Sequence, residues 1–207
     1  MSTGVQRLPA APARGIRAYG RFWVTLATVL VADQVSKAWV MRHIALNTYF
    51  DPAPIPVIPN FFYFVNVSNT GAAWGVLSSY TPWLAWLGVA ALAGIFFFRQ
   101  QLELGKPLLQ YTFGLLCGGI IGNLIDRQRQ GHVVDFLDFH LPHYRYPAFN
   151  VADAGITVGV TIYLLYSFRD SWTARRPVVQ PTMPEARGSA ENASKTSSGS
   201  ASQSTAD

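Results

Sequence analysis

The sequence predicts a mainly α integral membrane protein with four transmembrane helices and a small β-rich extramembrane piece. Half of its 207 residues are hydrophobic and only 13% are charged, about half the charged share usual in soluble domains. The apolar residues gather into four runs, roughly 21–41, 82–98, 108–126 and 148–168. Each approaches the ~20 residues that cross a hydrocarbon core of ~30 Å at ~1.5 Å per residue. The net charge is +5, and almost all basic residues lie outside those runs. That pattern suits membrane lipid as the partner and argues against nucleic acid. The single cysteine, Cys117, sits inside an apolar run, so an internal disulfide is excluded and a packing role is expected.

Residues 1–20 carry Arg7, Arg14 and Arg17 among Pro and Ala without apolar periodicity, and read as a basic arm. The run that follows is a membrane helix and not a cleavable signal peptide, because a small-residue cleavage site is lacking and further apolar runs come after it. It contains Asp33 and Lys37, four residues apart and so on one helical face. Ionisable groups at membrane depth face the protein interior and pair. A structural ion pair and a supporting role beside a polar site both satisfy that spacing.

The segment 42–81 does not form a span, since Pro52, Pro54, Pro56 and Pro59 break helix. Its continuation, FFYFVNVSNTGAAWG, is rich in aromatic and β-branched residues punctuated by glycine, the composition of short strands resting at the interface. Asn69 with Gly71 reads, on its own, as turn chemistry.

Lys and Arg counts orient the chain. The arm through Arg21 has four, the connector with Arg99 and Lys106 has two, and the segment from Arg169 onward has five. The opposite faces have one, Arg42, and three, Arg127, Arg129 and Arg145. The positive-inside rule therefore expects both termini in the cytoplasm. Residues 21–170 form the membrane-embedded domain, and 171–207 read as a cytoplasmic, disordered tail rich in Ser, Ala and Thr.

Polar residues concentrate between Gly118 and Asp153. Four aspartates, two asparagines and three arginines stand there beside apolar segments. Gly118, Gly119 and Gly122 suit close helix approach. Asn123 and Asp126 follow near the outer end of that helix with Arg127 adjacent, and Asp135 and Asp138 come next in VVDFLDF. Asn150 and Asp153 open the last run, and alone they read as an N-cap with a capping-box partner. Several acids at one membrane face point further. Two close carboxylates do not both ionise cheaply, so they share a proton and divide into base and acid. One then activates water while the other polarises a peptide carbonyl. A metal site built on His132, His140 and His143 is the weaker reading, since no HExxH-type helix is present. A small ion transporter would place its acids near the midplane and show repeated halves, and neither is seen. A non-catalytic assembly protein has no need of paired aspartates.

Five motifs occur in order: Asp33-Gln34-Val35-Ser36-Lys37, Asn69-Thr70-Gly71-Ala72-Ala73-Trp74, Gly122-Asn123-Leu124-Ile125-Asp126-Arg127, Val133-Val134-Asp135-Phe136 and Phe149-Asn150-Val151-Ala152-Asp153. Over residues 20 to 170 the chain thereby resembles the lipoprotein signal peptidase family (signal peptidase II), integral membrane aspartic peptidases of bacteria. The resemblance implies four transmembrane helices, a β-rich cradle between the first two, and an active site at the outer face of the cytoplasmic (inner) membrane. It implies cleavage of prolipoproteins just before a diacylglyceryl-modified cysteine, with no cofactor and no metal, by what is expected to be a monomer. It assigns catalysis to Asp135 and Asp153, where the residues alone leave Asp126 and Asp138 open. It places Asn69, Asn123, Arg127 and Asn150 in the substrate pocket and gives Asp33, Lys37 and Asp126 supporting roles. Asp138 stays without a role, and the arm and tail lie outside the shared pattern.

Overall fold

A computed structural model describes residues 16–48, 54–71 and 81–174. The expectations for arm residues 1–15, the tail beyond 174 and Ala72–Trp74 fall outside these residues; the end of the arm is a short 3₁₀ helix, Ile16–Tyr19, leading into the first helix at Gly20. By internal contacts the chain divides into Met1–Asp170 and Ser171–Asp207, and only the end of one helix is described in the second unit.

The described elements are α1 (Gly20–His43), β1 (Ile55–Ile58), β2 (Phe62–Asn69), α2 (Thr81–Phe97), α3 (Pro107–Gln130), β3 (Val133–Leu141), β4 (Tyr144–Arg145) and α4 (Val151–Ala174). Three helices, α1, α3 and α4, are long and apolar enough to cross a membrane, and α2 is a shorter apolar helix. Its 17 residues span ~25 Å. Large side chains such as Trp83, Trp86 and Phe97 on α2 and Leu165 and Phe168 on α4 are exposed. That is the surface expected of helices solvated by lipid rather than water.

α3 is the innermost helix, and small residues let its neighbours approach. A Cβ on Gly118 would stand 2.8 Å from the Leu26 carbonyl of α1, and one on Gly119 would collide with the Ala152 carbonyl of α4. A Cβ on Gly122 would strike the Asp33 carboxylate at 2.6 Å. The glycine run thus sets both helix packing and room for a buried acid. α3 continues to Gln130, past the expected end at 126, so Asp126 lies within the helix and not at its tip. It stops where Gly131 adopts φ 76° and its N–H caps the Arg127 carbonyl at 3.1 Å.

The sheet corrects one expectation. Strands do follow α1, but the cradle is not confined to the segment between the first two helices. Its strand order is β1-β2-β3-β4, with β3 and β4 supplied between α3 and α4. β2 and β3 pair antiparallel from Phe62↔Phe139 to Asn69↔Val133, with a bulge in β2 between Phe64 and Val67. Phe136 and Val134 of β3 pack on Val40 and Ile44 at the end of α1. Stacked rings of Phe62, Phe139 and Phe149 cover the strands further along. Phe149 also bridges to Leu137: its N–H donates to the Leu137 carbonyl at 3.1 Å, and its carbonyl accepts from Phe136 and Leu137 N–H at 3.0 and 2.9 Å. For that reason α4 begins at Val151 rather than 148, with its first turn held against β3.

Candidate active site

The end of β2, the outer part of α3, the start of β3 and the first turn of α4 converge on one buried group of side chains. Asn150 is its hub. As N-cap of α4 it accepts the Asp153 N–H on Oδ1 at 2.9 Å, while its own N–H donates to Asp153 Oδ2 at 3.3 Å. The reciprocal capping box read from the sequence is therefore present. The remaining atom does something else: Asn150 Nδ2 donates to Asp135 Oδ1 at 2.7 Å. One residue thus touches both carboxylates, Asp135 through its side-chain amide and Asp153 through its backbone N–H, and the capping and site readings hold together because they use different atoms.

Asn69 behaves the same way. Its Oδ1 accepts the Gly71 N–H at 2.9 Å, a local turn bond, and its Nδ2 donates to Asp135 Oδ2 at 2.9 Å. Asp135 is 2% exposed and has an amide donor on each oxygen. Burial foremost, and then the neighbouring Asp153 charge, push its carboxyl up to about 7, against a pull from the Asn69 and Asn150 amides and from Lys37. Asp153 Oδ1 accepts from Asn123 Nδ2 at 2.7 Å. Among the described residues, none of the ion pairs involves Asp135 or Asp153. Arg127 reaches the rim, where Nη2 donates to the Gly71 carbonyl at 3.1 Å while its buried Nε has no partner.

Behind the site lies a fully buried ion cluster. Lys37 Nζ stands 2.8 Å from Asp33 Oδ2 and 2.7 Å from Asp126 Oδ2, and donates to Asn123 Oδ1 at 3.0 Å. Asp33 Oδ1 accepts the Ala152 N–H at 2.9 Å, satisfying one of the orphan donors of the α4 N-terminus from a different helix. Sequence reasoning missed Gln34 here. Its Nε2 donates to Asp126 Oδ1 at 3.0 Å and lies 3.3 Å from the Gly122 carbonyl. Its place between Asp33 and Lys37 in a polar motif was the available signal.

Asp138 is not part of this group. It is clamped by the guanidinium of Arg145, with Nε at 3.1 Å and a shorter contact from Nη2, and by His140 Nε2 at 2.9 Å. The Tyr63 ring lies over His140, centroids 4.7 Å apart. His140 is thus engaged in a structural cluster with Asp138.

A family model described as signal peptidase (SPase) II matches residues 25–169. A lipoprotein signal peptidase of Syntrophotalea carbinolica is 42% identical over 154 residues, 72% of this chain and 92% of that protein. Another, of Oleidesulfovibrio alaskensis, is 43% identical over 157 residues, 72% of this chain and 97% of that protein. A solved bacterial membrane enzyme is similar with a TM-score of 0.69 at 28% identity, covering 78% of this chain and 95% of that one.

Proposed function

This chain belongs to the signal peptidase II family, and from that premise we propose that it is an intramembrane aspartic endopeptidase acting on prolipoproteins. It removes the signal peptide just before the diacylglyceryl-modified cysteine. The observation that supports this most is the pair of carboxylates, buried Asp135 and half-buried Asp153, both bonded to Asn150 and, among the described residues, held by amide and backbone donors. The two carboxylates share one proton, which the scheme places on Asp135, whose carboxyl burial pushes up to about 7. A water between them gives a proton to Asp153 as its oxygen attacks the scissile carbonyl carbon. The Asp135 proton passes to the carbonyl oxygen, giving a neutral tetrahedral diol. As the C–N bond breaks, the Asp153 proton goes to the leaving amine and the diol returns a proton to Asp135. Protons balance over the cycle, and neither a metal nor a cofactor takes part.

The site lies beside the sheet, at the end of α1 opposite the basic residues 99 and 106. This supports a location at the outer face of the bacterial inner membrane, with both termini cytoplasmic and α2 as a fourth span, although ~25 Å is short for one. The protein works as a monomer. Asn69, Asn123, Arg127 and Asn150 line the substrate side, whereas Asp33, Lys37 and Asp126 support them. Substrate enters laterally from lipid, and each acyl methylene it keeps buried contributes about 0.8 kcal/mol to binding. Purified protein in detergent should cut a diacylglyceryl-modified precursor and leave the unmodified one intact. Equal cleavage of both, or cleavage abolished by a chelator, would contradict the reading.

A further inference from the structure

Lys37 sits in a buried cluster to which the reaction scheme gives no step. Its ammonium meets Asp33, Asp126 and the Oδ1 of Asn123 at 2.8, 2.7 and 3.0 Å. Those three acceptors match its three protons, and an ammonium accepts nothing. Only the carbonyl oxygen of Asn123 therefore faces it. Asn150 Nδ2 approaches the same oxygen at 3.3 Å. With Oδ1 committed on that side, Nδ2 of Asn123 turns toward Asp153 Oδ1 at 2.7 Å. We infer that Lys37 is a positioning residue that works through Asn123, fixing its amide so that Asp153 meets a donor and never a second acceptor. An ion pair that only joined helices would be complete with Asp33 and Asp126, and the contact to Asn123 adds a line to the reacting group. This inference rests on the reading of Asp135 and Asp153 as the reacting carboxylates.

Replacing Lys37 alone strands buried carboxylates, so the test conserves charge. Lys37→Met combined with Asp126→Asn leaves Asp33 as the cluster's one charge, the same net −1 that two carboxylates and one ammonium have now. With a lipidated precursor, kcat should fall about 10–100-fold at unchanged KM. Adding Asn123→Ala to this pair should cost clearly less than Asn123→Ala costs in the unmodified protein, since the pair has already loosened the same line. Undiminished kcat, or losses that multiply, would overturn the inference. Should the pair not fold, Asn123→Asp takes over: it keeps an oxygen for Lys37 but turns another toward Asp153. A single cooperative melting transition, lowered because the new carboxylate faces Asp153, with at least about a tenfold loss of kcat is expected, and full kcat would overturn it. Asp153→Asn in the same assay separates the two levels. If that variant is active, the carboxylate-pair reading has failed; if it is inactive while the losses multiply, only the positioning role has.

Discussion

Asp135 and Asp138 stand three residues apart on β3 and leave it on opposite faces. Both are buried, at 2% and 0% exposure, and both are held by hydrogen bonds at each oxygen. Their donors differ in kind. Asp138 has the guanidinium of Arg145 and the ring of His140, so a cation offsets the cost of burying its charge. Asp135 has two neutral amides and a second carboxylate nearby. Asp138 has a cation beside it, whereas Asp135, held by neutral amides and pushed up to about 7, is able to change charge, as the proposed proton-transfer step requires. Under the proposed reading, company and not burial separates the reacting acid from the structural one.

The contrast is most easily broken by exchanging the donors' fates. Asn150→Ala removes the side-chain donor on Asp135 and the cap on the Asp153 N–H and should lower kcat about 10²–10³-fold, comparable to losing one preorganised donor in other hydrolases. Arg145→Ala, the counterpart for Asp138, should leave turnover of the folded enzyme nearly unchanged. Initial rates on lipidated precursor compare them. A smaller effect falls on stability. Asp138→Ala leaves Arg145 without its carboxylate, but that guanidinium is about a third exposed and rehydrates, so about 1–3 kcal/mol is expected rather than the ~3–5 kcal/mol of a fully buried broken pair. Thermal melting in detergent would show it as a drop of several degrees.

The smallest effect depends on pH. Asp135 has its folded pKa raised from 3.8 to about 7, so between those values the folded state holds the extra proton and stability falls as pH rises. Asparagine escapes that loss. Asp135→Asn should thus gain on the unmodified protein from about pH 4 to about pH 7 and keep a constant advantage above. About 1–2 kcal/mol is reasonable, because the amide also gives up part of the hydrogen bonding from Asn69 and Asn150. Melting curves across pH test the sign: an advantage that grows on acidification would contradict it.

Much of this was legible in the sequence because membranes make polar residues conspicuous. Asp33, Lys37, Asn123 and Asp126 stood out as charges and amides in runs otherwise fit for lipid, and the glycines of α3 marked its close neighbours. What was not legible depends on pairing across long sequence separations. Nothing local shows that β3 adds to β2, so the cradle was assigned to one loop although two build it. The three-residue spacing of Asp135 and Asp138 puts them on opposite faces once VVDFLDFHL is a strand, but does not say which face meets Asn150. That choice is made by the Phe149–Leu137 bridge, a contact without a motif of its own. Capping and turn readings at Asn150 and Asn69 were right as far as they went. Local geometry uses one end of each amide and leaves the other free to serve the site.

The most direct measurement sets the four aspartates between Gly118 and Asp153 side by side. Asp126→Asn, Asp135→Asn, Asp138→Asn and Asp153→Asn, each purified in detergent and checked by melting, would be assayed for cleavage of one diacylglyceryl-modified precursor. Asp135→Asn and Asp153→Asn should be folded and inactive, Asp126→Asn slowed but active, and Asp138→Asn close to the unmodified rate. A folded, active Asp135→Asn or Asp153→Asn beside an inactive Asp138→Asn would contradict the account.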